Sequence, residues 1–250
     1  MEVLVVGNTA YVDDDFCAKA FPGDHVQVVA ADDARRDESS PHASWKELLQ
    51  HLDQAYEFDR VVYLSNYLTP HTDTVGDIEL LRSVFRACMG RRVQLLYVAG
   101  PAAAEDAVDA TGRTGKGIIA RAANDLCRHY AEREGIQAKI LRAPFLYTAS
   151  AALEDPFLAP LFDACSTGSV ALQGAEDAAF PLLCAEELAV LVRRIFDSWD
   201  ANFETLDVAD SFNHTAGDIG ESLKALFPGL SVAYGESAGY ALPANDTVRV

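Results

Sequence analysis

The chain predicts an α/β protein built on a doubly wound parallel sheet with a small C-terminal lobe of the kind that closes over a substrate. Three observations carry this. Short apolar runs alternate with longer segments of helical period, which argues a parallel sheet covered by helices on both faces. Several runs, such as Val3 to Val6 within 2–6 and Leu95 to Ala99 within 93–99, are continuously apolar, as strands buried on both faces are. The length of 250 residues, half hydrophobic and 23% charged, suits one such core plus a small lobe.

The first strand, 2–6, carries Val3, Leu4, Val5 and Val6 and stops at Gly7, where the chain must turn. A helix over 13–21 follows, entered through Asp13-Asp14-Asp15, a residue type favoured at the cap and first turn. Further strands are expected at 25–31, 60–64, 93–99 and 137–142, with a later one near 205–208. Helices are expected at 44–55, 74–89, 116–134, 186–199 and 215–226. In the 116–134 helix, Ile118, Ile119, Ala122, Leu126 and Tyr130 form the apolar side. The segments 149–182 and 211–250 are richer in Gly, Pro and Ser and weaker in period, so they are assigned to the small lobe. The core then comprises 1–148 and 183–210. The final stretch, 242–250, is polar and reads as unstructured, as the end of a piece cut from a longer protein would.

The net charge of −18 repels phosphate backbones, so a nucleic-acid partner is not expected. No segment approaches the roughly eighteen apolar residues of a membrane helix, and the N-terminus is a strand and not a signal peptide. A cytoplasmic protein with no membrane association is expected. Five scattered cysteines form no C-x-x-C pair, which points to buried thiols and away from zinc or a disulfide framework. The six histidines show no metal-ligand spacing, so no metal is expected.

The turn after the first strand is the most informative segment. A dinucleotide-binding turn needs three spaced glycines and a helix N-terminus free to receive a pyrophosphate. Here Gly7 is followed by Asn8, Thr9, Ala10, Tyr11, Val12 and Asp13, so only the first glycine is present. A carboxylate a few ångströms from a pyrophosphate in a partly screened site costs on the order of 1–4 kcal/mol. If a dinucleotide binds, Gly7, Thr9 and Ala10 line the turn, Asp32 is placed to meet an adenosine ribose, and Arg35 to meet a 2′-phosphate.

Several segments, in order, resemble the extended short-chain dehydrogenase/reductases, the NAD-dependent epimerase/dehydratase group with a Rossmann-like fold. They are the opening strand and turn, Phe58 to Asn66, Gln94 to Gly100, Ile140-Leu-Arg-Ala-Pro-Phe-Leu-Tyr147 and Phe180 to Leu188. The resemblance spans about residues 1–230. It implies a Ser or Thr after the fifth strand and a Tyr-x-x-x-Lys pair opening the next helix, the tyrosine acting as acid/base. Tyr130 and Gly135 stand at the spacings the family shows after its lysine, which puts the lysine position at Ala120, the tyrosine position at Lys116 and the serine position at Gly100 or Pro101. No tyrosine lies between Tyr97 and Tyr130, so a shift of alignment restores nothing. The catalytic positions therefore read as degenerate.

Other residues are candidates for a ligand or anion site at the sheet's C-terminal edge. Arg113 and Lys116 lie in the glycine-rich loop Gly112-Arg-Thr-Gly-Lys-Gly117, which is not a Walker loop. His71 follows the fourth strand, and Arg142 resembles the family's strand-ending arginine. The resemblance also implies a homodimer through helices 74–90 and 116–134, for which Leu80, Leu81, Val84, Phe85 and Cys88 offer an apolar stripe, part of it owed to the chain's own sheet.

The leading expectation is a catalytically degenerate epimerase/dehydratase-like protein that needs no cofactor and acts as a ligand-sensing, regulatory or interaction domain, alone or fused to another domain. One alternative is a divergent enzyme using NAD or NADP on a nucleotide sugar or similar small molecule. Another is a non-catalytic subunit that stabilises an active partner as a heterodimer.

Overall fold

The computed structural model describes residues 1–7, 11–30, 43–44, 58–65, 74–100, 115–148, 158–172, 174–179, 182–209, 214–236 and 247–249. Its strands are β1 (Glu2–Gly7), β2 (His25–Ala30), β3 (Ala43–Ser44), β4 (Arg60–Leu64), β5 (Gln94–Ala99), β6 (Gln137–Arg142), β7 (Phe145–Tyr147), β8 (Ser169–Leu172), β9 (Leu182–Cys184), β10 (Phe203–Ala209), β11 (Ser231–Tyr234) and β12 (Thr247–Arg249). Its helices are α1 (Asp14–Ala20), α2 (Thr74–Cys88), α3 (Gly115–Glu134), α4 (Leu158–Ser166), α5 (Ala185–Asp197) and α6 (Ala216–Leu226).

Eight strands form one parallel sheet in the order β3-β2-β1-β4-β5-β6-β10-β12. The order reverses between β1 and β4, the switch point of a doubly wound fold. Each continuous apolar run serves two layers, because successive side chains leave a strand on opposite faces. Val3 and Val5 of β1 join Phe16, Leu188 and Val192 beneath α1 and α5. Leu4 and Val6 join Leu81, Phe85 and Tyr130 beneath α2 and α3. All four β1 residues are buried to 1% exposure or less, so the strand could not tolerate a polar face.

Two smaller parallel pairs lie outside this sheet, β7 with β9 and β8 with β11. A third apolar cluster, containing Cys165, Val170, Leu172, Leu223 and Leu230, lies under α4 and α6. The entry to α6 is fixed by a capping box in which the Thr215 hydroxyl accepts from the Asp218 N–H at 3.1 Å and the Asp218 carboxylate accepts from the Thr215 N–H at 2.8 Å. Gly220 gives room there to Tyr234 and Val232 of β11, since a Cβ would stand against the Tyr234 hydroxyl and 3.2 Å from Val232 Cγ1.

Several expectations need correction. Thr247–Arg249 is not an unstructured end but β12, paired to Asp207–Ala209. A three-residue edge strand carries too little pattern to be seen in sequence, and pairing with a buried neighbour creates it. Ser44 lies in β3 and not at a helix start, while 45–55 of the expected 44–55 helix falls outside the described residues. The buried side of α3 runs through Ala123, Cys127, Tyr130 and Ala131, and Ala122 is exposed. Small residues at this spacing let α3 lie close to the sheet, which a search for large apolar side chains overlooks. The stripe Leu80, Leu81, Val84, Phe85 and Cys88 is buried in the chain's own second cluster, and α2 turns Glu79, Arg82 and Arg86 outward.

All five cysteines are free thiols, and burial raises the Cys88 thiol to about 12. Among the described residues, no helix is long and apolar enough to cross a membrane, and no group of His, Cys, Asp and Glu is placed to hold a metal ion.

One charge sits inside the apolar layer under α5. Lys139 on β6 is 4% exposed, and its ammonium donates to Glu204 at 2.6 Å and to Asp200 at 3.0 Å, 5.3 Å from the Trp199 ring centre. Burial by itself lowers the lysine pKa, but the hydrogen bonds and charges of Glu204 and Asp200 outweigh it and hold the group above its ordinary value. The bond from Lys139 in turn holds the Asp200 carboxyl below the usual 3.8. We predict that Glu204→Gln lowers unfolding free energy by about 1–2 kcal/mol in urea titrations, because a buried ammonium loses an ionic partner. For Asp200 the depressed folded pKa means stability that is present above the ordinary carboxylate value and lost as pH falls through the folded one. Asp200→Asn should therefore flatten the acid limb of a stability-against-pH curve and, because Asp200 also helps hold Lys139 above its ordinary value, lessen the loss of stability on the alkaline limb.

Candidate functional site

In open doubly wound sheets, ligands lie outside the carboxyl ends of the strands where the strand order reverses. Here that place is bounded by Gly7 at the end of β1, Leu64 and Ser65 at the end of β4, and Ala99 and Gly100 at the end of β5. Ser65 is 2% exposed, and its backbone N–H is tied to the Val98 carbonyl at 2.9 Å.

Gly7 has a definite steric cause. A Cβ on it would stand 3.0 Å from Leu64 Cβ and 3.2 Å from Val12 Cγ2, closer than packed carbons comfortably come. Tyr11 and Val12 are both buried to 1% exposure, so the turn folds its own side chains into the layer beneath α1. The helix begins immediately afterwards. Asp13 is its N-cap, with extended backbone, and its Oδ1 accepts from the Phe16 N–H at 2.8 Å. Asp14 and Asp15 occupy the first turn with their side chains exposed. α1 is seven residues long and is tied to α5 by the Lys19–Glu186 ion pair at 2.9 Å.

Two tyrosines flank the segment in which the acid/base tyrosine is sought. Tyr97 is 1% exposed and stacks on Tyr63 with ring centres 5.8 Å apart. Tyr130 lies parallel to Phe85 at 4.5 Å, between α3 and α2. Both rings belong to the packing of the second cluster. Gly100 is buried at the end of β5, and Lys116 and Ala120 lie in the first turns of α3. Thr9, Ala10, Asp32, Arg35, His71, Pro101 and Arg113 lie outside the described residues.

Arg142 closes β6 with a partner that sequence reading did not anticipate. Its Nε donates to Asp207 Oδ1 at 2.6 Å and its Nη2 to Oδ2 at 2.7 Å, a two-pronged pair between directly opposed residues of β6 and β10. The guanidinium is mostly buried and Asp207 almost entirely so. Two of its donors are thus committed to holding the end of the sheet together. The available signal was Asp207 standing between the apolar Leu206 and Val208, since a buried carboxylate needs a cation.

No family model matches the chain, and no curated protein sequence matches it. Solved structures do. The dTDP-glucose 4,6-dehydratase DesIV of Streptomyces venezuelae, with NAD and TYD bound, superposes with a TM-score of 0.74 at 14% identity over 97% of this chain and 88% of that one. The fold is that of the extended short-chain dehydrogenase/reductases. A UDP-N-acetylglucosamine 4-epimerase from Bacillus cereus gives 0.68 at 14% identity, covering 97% of this chain and 87% of the other. A short-chain dehydrogenase/reductase superfamily protein from Agrobacterium tumefaciens with bound NAD gives 0.69 at 13% identity, covering 95% and 88%. The fold inferred from scattered sequence segments is therefore the fold observed.

Gly7→Ala should destabilise the protein by about 1–3 kcal/mol in chemical denaturation, because the added methyl must displace Leu64 or Val12. Asp207→Ala should cost about 3 kcal/mol or more by leaving the Arg142 guanidinium without its charge partner.

Proposed function

We propose that this chain uses the dehydrogenase/reductase fold without its tyrosine-dependent proton transfer, as a ligand-sensing, regulatory or interaction domain. The observation that carries this reading is the absence of any tyrosine between Tyr97 and Tyr130, the interval in which the acid/base residue would fall. Neither flanking tyrosine offers a substitute, since both rings are committed to aromatic stacks inside the second cluster. The positions aligned with the catalytic set are Gly100, Lys116 and Ala120. Glycine and alanine have no titrating side chain, and a lysine at the tyrosine position carries a proton at neutral pH unless it is desolvated. A fold of this kind hosts many functions, so the loss of the proton-transfer group weighs more than the kinship.

A second reading is favoured by one finding. Several solved structures with this fold carry NAD, which supports a divergent enzyme acting with NAD or NADP on a nucleotide sugar or similar small molecule. The two readings separate by turnover. The purified chain is incubated with NAD⁺ or NADP⁺ and a panel of UDP- and dTDP-sugars, followed by absorbance of reduced nicotinamide and by proton NMR of the sugars. The expected result is no conversion above the protein-free control. Conversion of any sugar, abolished by heat denaturation, would sink the leading reading in favour of the second.

A further inference from the structure

We infer that the first strand-to-helix turn excludes a dinucleotide because Asp13 already supplies, from within the chain, the anion that the helix start would otherwise receive. This deepens the proposed non-redox role and rests on it. In doubly wound folds a pyrophosphate is held by the free N–H groups and positive end of the helix that follows β1, with glycine allowing the backbone to come close. Both parts of that arrangement are used differently here. The Phe16 N–H donates to Asp13 Oδ1 at 2.8 Å, so a donor of the first turn is satisfied by a carboxylate of the same chain. Asp14 and Asp15 add two exposed carboxylates in that turn. The space left by the missing Cβ of Gly7 is closed by Leu64 and Val12, at 3.0 and 3.2 Å from where that atom would stand. The glycine therefore serves the packing of β1 on β4, and the residues present do not fit a pyrophosphate.

The alternative role of Asp13, a cap and nothing more, makes a different prediction, and one substitution distinguishes them. Asp13→Ser keeps a side-chain oxygen able to accept from the Phe16 N–H and removes the charge. Wild type and Asp13→Ser, both as the full chain, are titrated calorimetrically with NAD⁺, NADH, NADP⁺ and NADPH, with melting temperature recorded without ligand. We expect no saturable heat from wild type up to about 1 mM, and for Asp13→Ser an unchanged melting temperature with at least roughly tenfold tighter binding of one of the four. Saturable binding to wild type in that range overturns the inference. So does an Asp13→Ser variant that binds no better than wild type. If that variant does not fold, Asp13→Asn, which caps equally well, takes its place under the same criteria. Wild-type binding without sugar conversion defeats the exclusion and leaves the proposed function standing, whereas sugar conversion defeats the proposed function itself.

Discussion

The close approach of β1 to β4 at Gly7 is the constraint on which the rest of the molecule depends. The two strands meet where the strand order reverses, and the glycine lets Leu64 and Val12 close over the end of β1. Any larger residue would push the turn outward and take Tyr11 and Val12 out of the layer they share with Phe16, Leu188 and Val192. That layer covers one face of β1, β4, β5, β6 and β10. Because each central strand feeds side chains to both faces, a disturbance at this turn reaches the layer under α2 and α3 as well.

The same turn carries the chemistry that sets this chain apart. A short helix needs its first N–H groups satisfied, and Asp13 does this with a charged oxygen. The capping role and an anion-excluding role follow from one geometry, so neither argues against the other. Along the sheet, Arg142 shows the same economy of charge. A guanidinium at a ligand-binding edge is a natural candidate for recognising an anion, yet Nε and Nη2 bind Asp207 across adjacent strands. The two fully described candidates, Gly7 and Arg142, both take part in holding the sheet's C-terminal edge together.

Much of the fold was legible in the chain because burial on two faces leaves a strong local signature. The apolar runs placed β1, β2, β4, β5 and β6 within a residue of their observed bounds, the signal being strongest in β1, β4 and β5, whose central residues are apolar without a break. The small elements escaped for the opposite reason. β7, β9 and β12 are three residues each, too short for any period, and exist because a neighbouring strand offers its free edge. In α3 the expected Tyr130 and Leu126 do pack on the second cluster, while Ala122 is exposed and Ala123, Cys127 and Ala131 complete the buried side, residues too small to stand out in an apolar pattern.

For the candidate site, sequence by itself determined which residue types are present: one glycine at the first turn, carboxylates at the helix start, and no tyrosine in the interval that matters. Composition along a chain suffices for that, because a missing functional group cannot be restored by folding. Only the tertiary structure decided what the remaining groups do. Whether Gly7 opens toward solvent or onto Leu64, and whether Arg142 is available or paired, depend on distances between residues far apart in sequence. Those distances are set by the closing of the sheet, which no local pattern records.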